Sequence, residues 1–120
     1  MKDKKRILVV DDQKENFELL ALILDTDDYE YFYAQDGVEA LEAVEKALPD
    51  ILLVDVIMPR MDGFELTRRI KSDDRTANIP IILITSLSDS ESRMRGFEAG
   101  AEEFIIKPID HVELLARIRS

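Results

Sequence analysis

Short aliphatic runs alternating with amphipathic stretches predict an α/β protein, a single doubly wound, five-stranded parallel sheet in strand order 2-1-3-4-5. Three observations carry this reading. Ile7-Leu8-Val9-Val10, Ile51-Leu52-Leu53-Val54 and Ile81-Ile82-Leu83-Ile84 are unbroken aliphatic runs, as strands covered on both faces must be. Between the runs, apolar residues recur at helical spacing and supply the crossovers a parallel sheet requires. Tyr29 to Ala34 alternates tyrosines with Glu30 and Phe32, the pattern of a half-exposed edge strand, and right-handed crossovers then give the order.

The first helix is expected after Asp12, with Phe17, Leu20, Ala21 and Leu24 on one face and one of Asp11 and Asp12 as its cap. A second helix runs from about Asp36-Gly37 to Ala47, burying Val38, Leu41 and Val44, and Pro49 ends the link to the third strand. Val56 to Gly63 is a loop in which Asp62 is placed to cap a helix carrying Phe64, Leu66 and Ile70. Asp73 to Pro80 is polar and turn-rich. The fourth helix, Ser88 to Ala99, starts on wholly polar residues and offers only Leu87, Met94 and Phe97 for burial. Its start is therefore a candidate moving part, and Gly100 closes it as a C-cap. Phe104-Ile105-Ile106 is the fifth strand, and a last helix from Asp110 carries Val112, Leu115 and Ile118. No repeat or linker divides the chain, so residues 1–120 read as one domain, excised from or forming the N-terminal part of a longer protein.

Composition narrows the function. With 46% apolar and 35% charged residues the chain is globular rather than disordered. It has no cysteine, which excludes disulfides, thiolate nucleophiles and cysteine-ligated metals. A formal charge of -10 argues against direct binding to nucleic acid or to an anionic membrane. No apolar stretch approaches the ~20 residues of a membrane span, and the basic segment Met1 to Arg6 is not a secretory signal. Cytoplasmic residence is the expectation.

Four apolar runs each stop on residues capable of phosphate or metal chemistry: Asp11-Asp12, Asp55, Thr85-Ser86 and Lys107-Pro108. In a parallel sheet these share the carboxyl edge, where open α/β folds bind ligands. Two carboxylates ~4 Å apart repel by about 4 kcal/mol at an effective dielectric of ~20. Asp11, Asp12 and Asp55 must therefore take up protons or bind a cation, and an all-oxygen set with room for water and phosphate suits Mg²⁺. Asp55 is the candidate nucleophile, because a carboxylate attacks phosphorus to form an aspartyl phosphate. Lys107 and Mg²⁺ would neutralise charge there, and the Thr85 hydroxyl would donate to a phosphoryl oxygen. His111, alone at a helix start, reads as a solvated surface residue.

These residues, with Asp36-Gly37, Ala40-Leu41, Pro49-Asp50, Met58-Pro59, Met61-Asp62-Gly63, Ile79-Pro80, Gly100-Ala101 and Phe104, resemble the receiver domain of bacterial two-component response regulators, a flavodoxin/CheY-like fold. The resemblance implies Asp55 as phosphoacceptor, Asp12 as a direct Mg²⁺ ligand, Asp11 as a partly water-mediated one and the Ile57 carbonyl as the third. It implies Thr85 as the switch hydroxyl, Phe104 as the aromatic that follows it inward, and Lys107 as the phosphate-binding lysine, ahead of a cis peptide to Pro108. A sensor histidine kinase or phosphotransfer protein, or a small donor such as acetyl phosphate, would supply the phosphoryl group. An output domain or effector protein would receive the signal through the fourth helix, fifth strand and fifth helix, a face that would also serve a homodimer.

Leu114 and Ile118 offer an apolar stripe to a twin or to the core. The stretch from Lys107 to Ser120 is similar to receivers ahead of diguanylate cyclase (GGDEF) output domains. Ser86 stands where Ala is usual and Phe104 where Tyr is more frequent, while apolar Ile57 and Leu87 beside the site predict slow hydrolysis of the phosphoaspartate. Two rivals fit less well. A phosphohydrolase of the haloacid dehalogenase class wants a second aspartate where Ile57 stands, and a pseudo-receiver would not need Asp12, Asp55, Thr85 and Lys107 together. The four glycines stand apart and form no phosphate loop.

Overall fold

The computed structural model describes residues 4–24 and 28–119, so part of the basic N-terminus lies outside it. Strands and helices alternate along the chain: β1 (Lys5–Val10), α1 (Lys14–Ile23), β2 (Tyr29–Ala34), α2 (Gly37–Lys46), β3 (Ile51–Asp55), α3 (Gly63–Lys71), β4 (Ile81–Thr85), α4 (Ser90–Ala99), β5 (Glu103–Ile106) and α5 (His111–Arg119). The strands pair in parallel in the order β2-β1-β3-β4-β5. The aliphatic strands β1, β3 and β4 are interior and the tyrosine strand is an edge, as expected.

Because side chains alternate across a strand, the aliphatic runs feed two cores. Leu8, Val10, Leu52, Val54, Ile81, Leu83 and Phe104 face α2, α3 and α4 and pack with Ala40, Val44, Phe64, Leu66 and Ile70. Ile7, Val9, Ile51, Leu53, Ile82, Ile84 and Ile105 face α1 and α5 and pack with Leu20, Leu24 and Leu114.

Helix ends follow local chemistry. Asp36 and Asp62 accept the backbone N–H of Glu39 and Glu65 at 2.8 and 2.9 Å, the expected cap geometry. Gly100 ends α4 at φ 109°, a left-handed conformation that favours glycine. Three faces differ from the sequence expectation. On α2 the buried positions are Gly37, Ala40 and Val44, and Val38 is turned out. α4 starts at Ser90, capped by Asp89, and buries Ser92, Gly96 and Ala99 while Met94 and Phe97 are exposed. On α5 Leu114 is fully buried, with Leu115 and Ile118 packed against the same core, and Val112 is 78% exposed. Leu114 therefore belongs to the core and is not available to a twin.

At the opposite edge of the sheet from the acidic residues, Lys71 ties three segments together. Its Nζ donates to the carbonyls of Ala77 and Ile79 at 3.1 and 2.6 Å and to Glu102 at 2.7 Å. Glu102 in turn accepts the N–H of Ile81 at 2.8 Å. Lys71→Met keeps the aliphatic stem but strands these acceptors, so it is expected to destabilise the fold by about 2 kcal/mol in a denaturant titration.

Candidate functional site

Register brings the charged residues together. Val10 pairs with Val54, Asp55 with Ile84, and Ile84 with Ile105. Asp11, Asp55 and Lys107 thus extend the series that faces α1 and α5, whereas Thr85 extends the Ile81–Leu83 series that faces α2, α3 and α4. The two sets meet only where the sheet ends. In agreement, Asp11, Asp55 and Lys107 close one end of a cavity of about 240 Å³ whose other walls include Leu20, Ile84 and Ile109, with His111 beside them.

Oxygen atoms of Asp11, Asp12 and Asp55 lie within 4.8 Å of one another. Lys107 Nζ stands 3.6 Å from Asp55 Oδ2, the aspartate side chain 11% and the lysine 30% exposed. Asp55 Oδ1 accepts the N–H of Ile57 at 3.2 Å. Burial pushes the Asp55 carboxyl above the usual carboxylate range; Lys107 pulls it back and Asp11 adds to the rise. The close approach of α3 to this strand end needs a glycine: a Cβ on Gly63 would sit 2.6 Å from the Asp55 carbonyl oxygen.

Asp11 is held on every side. Its Oδ1 accepts the N–H of Gln13 at 2.9 Å, its Oδ2 the amide of Asn16 at 3.0 Å, and its carbonyl the hydroxyl of Tyr33 at 2.8 Å. Neither Asp11 nor Asp12 caps α1, whose N-cap is Gln13 without a side-chain bond. The cap expectation fails because the helix begins one residue too late for Asp12 and two too late for Asp11. Asp12 is exposed and has no hydrogen bond or ion pair among the described residues.

Thr85 is wholly buried, and its Oγ1 accepts the N–H of Leu87 at 3.2 Å. Phe104 is 6% exposed, so the aromatic already stands inward. It fills the space over Gly96, where a Cβ would come 2.9 Å from its ring. The Lys107–Pro108 peptide is cis, as the resemblance implied. His111 is exposed, yet it borders the cavity that ends at Asp55. Sequence reasoning missed Asn16 and Tyr33, which reach the acidic turn from α1 and from the neighbouring edge strand.

A doubly wound sheet whose carboxyl edge carries three clustered carboxylates beside a lysine fits a class, the phosphoryl-accepting signalling domains. Residues 7–119 match the response regulator receiver domain, and the chain belongs to that family. The response regulator PleD of Caulobacter vibrioides is 50% identical over 115 residues, which is 96% of this chain but 25% of that protein. The chemotaxis protein CheY4 of Vibrio cholerae superposes with a TM-score of 0.90 at 30% identity, over 98% of each chain. The receiver domain of a sensor histidine kinase from Pseudomonas aeruginosa PAO1, solved with a magnesium ion coordinated in its active-site cleft, gives 0.87 at 26% identity, over 98% of this chain and 96% of that one. The chain spans between a quarter and about half of the length of the curated relatives it matches. It is a receiver domain of two-component signal transduction. No helix among the described residues is long and apolar enough to cross a membrane.

Proposed function

We propose that Asp55 accepts a phosphoryl group from the phosphohistidine of a sensor histidine kinase or phosphotransfer protein, or from a small acyl phosphate. The observation that carries this reading is the Lys107 ammonium 3.6 Å from a buried Asp55 carboxylate within a cluster of three. An Asp55 oxygen attacks phosphorus, the bond from phosphorus to the donor nitrogen or oxygen breaks, and the leaving group keeps its electron pair; a histidine nitrogen takes up a proton from water, whereas the carboxylate of an acyl phosphate departs as the anion. Lys107 draws the transferring oxygens toward Asp55, and the Ile57 N–H holds the other carboxylate oxygen in place.

The donor set fits a hard divalent cation. It is all oxygen, crowded, and short of positive charge, with Asp55 biased by burial against its own ionisation. Asp11, Asp12, Asp55 and the Ile57 carbonyl would hold Mg²⁺, which when bound neutralises charge on the phosphoryl oxygens.

Signalling then runs through Thr85, whose hydroxyl leaves Leu87 and turns over the strand end to the new phosphoryl oxygens. Its side chain lies on the α4 side, so the movement acts on the β4–α4 turn and on the face of α4, β5 and α5. Met94 and Phe97, exposed on α4, support that face as the contact with an output domain, an effector or a second copy. The switch resets once per signalling cycle, so we read the chain as a cytoplasmic signalling module of a longer response regulator rather than a turnover enzyme. A diguanylate cyclase output domain is the recipient that the likeness of its last segment favours.

The test is to incubate the chain with Mg²⁺ and acetyl phosphate and weigh it intact. The expected result is an adduct of ~80 Da, absent when a chelator removes the metal. Turnover of phosphate esters without an adduct points to a hydrolase, and neither result to a receiver that takes no phosphate; both overturn the reading.

A further inference from the structure

The Tyr33 hydroxyl grips the peptide that carries Asp12, which the Gln13 N–H bond to Asp11 Oδ1 spans from the other side. It donates at 2.8 Å to the carbonyl of Asp11, and that carbonyl belongs to the peptide unit leading into Asp12. Asp11 itself is fixed through both carboxylate oxygens, by Gln13 and Asn16, and through its N–H, which donates to Ala34 at 3.1 Å. Asp12 has no such anchors. With no hydrogen bond to its own carboxylate among the described residues, its direction depends on the plane of the preceding peptide, and rotating that plane swings the Asp12 side chain away from Asp11 and Asp55.

The clamp is braced from two sides. Tyr33 sits on edge strand β2 in register with Val9, which fixes its backbone against the strand that runs into Asp11. Its ring packs on Phe17 of α1, with centroids 5.0 Å apart. Phe17 directly follows Asn16, which holds Asp11 Oδ2. One turn of α1 thus steadies both the acidic pair and the tyrosine that orients it.

We infer that Tyr33 is a positioning residue for the divalent-cation site, its hydroxyl setting the Asp11–Asp12 peptide so that Asp12 points into the carboxylate cluster. Outer partners of this kind contribute to metal affinity without touching the metal. The inference rests on the metal role proposed above for Asp11 and Asp12.

Tyr33→Phe keeps the ring and its packing on Phe17 and removes only the hydroxyl. Titrating Mg²⁺ into the full chain by calorimetry is expected to show roughly tenfold weaker binding than wild type, the low end of the effect of such partners. Labelling by acetyl phosphate separates positioning from chemistry. At limiting Mg²⁺ Tyr33→Phe should label about tenfold more slowly, and at saturating Mg²⁺ it should match wild type, a split that general loosening of the fold would not produce. Equal Mg²⁺ affinity in the two proteins, or a labelling deficit undiminished at saturating Mg²⁺, overturns the inference. Absence of Mg²⁺ binding by the wild-type chain would instead strike the metal reading on which it rests.

Discussion

Asp55→Asn is expected to abolish the ~80 Da phosphoryl adduct and, in the same protein, to raise the thermal midpoint measured without metal by a few degrees. The first effect follows from replacing the attacking oxygen pair with a neutral amide that is no nucleophile at phosphorus. The second follows from electrostatics. A carboxyl whose folded pKa lies above its unfolded value binds its proton more tightly in the fold, so its contribution to stability is present at low pH and is lost as pH rises. Asp55 is such a group, raised from 3.8 chiefly by burial, with Asp11 and Asp12 adding to the rise and Lys107 and the Ile57 N–H opposing it. Ionised Asp55 therefore weakens the metal-free fold at neutral pH, and the isosteric asparagine removes that charge while preserving shape. Scanning calorimetry in chelator should find the gap between the variant and wild type widest near pH 7 and narrowing toward pH 4. A variant less stable than wild type at pH 7 would show that the Lys107 pairing outweighs desolvation and repulsion.

That Asp55 could be singled out from sequence reflects how parallel sheets are built. Interior strands must be aliphatic, so the first charged residue after each run marks the carboxyl edge, and four such marks define a site. The helices were less legible where bulk came from the sheet instead of from the helix. α4 docks through Ser92, Gly96 and Ala99 because Phe104 and Leu83 fill the space beneath it. A search for large apolar side chains picks Met94 and Phe97, which face outward. On α5 the apolar residues at 112, 114, 115 and 118 admit two helical phases; Leu114 lies about 200° around the helix from Val112, and the core took Leu114. The anchors of Asp11 were illegible for another reason. Tyr33 reaches it only through the β1–β2 register and Asn16 only because α1 starts at Lys14, and neither fact is written in local spacing.

Lys107→Met should separate the two attractions that share this edge. Methionine keeps much of the apolar stem and removes the ammonium 3.6 Å from Asp55. Without that positive charge the three carboxylates are less compensated, so they should bind Mg²⁺ several-fold more tightly, an effect moderated by solvent because the lysine is 30% exposed. Phosphoryl transfer should move the opposite way. The ammonium is a preorganised positive group aimed where oxygens carry charge during transfer, and deleting one such donor costs roughly 10² to 10³ in rate. Adduct formation from acetyl phosphate at saturating Mg²⁺, followed by intact mass against time, reads the rate, and calorimetry reads the metal affinity. Tighter metal with slower transfer assigns Lys107 to the phosphoryl group itself. Labelling at the wild-type rate would mean that the lysine serves only to balance Asp55 in the resting domain, and the geometric case for its part in transfer would fall with it.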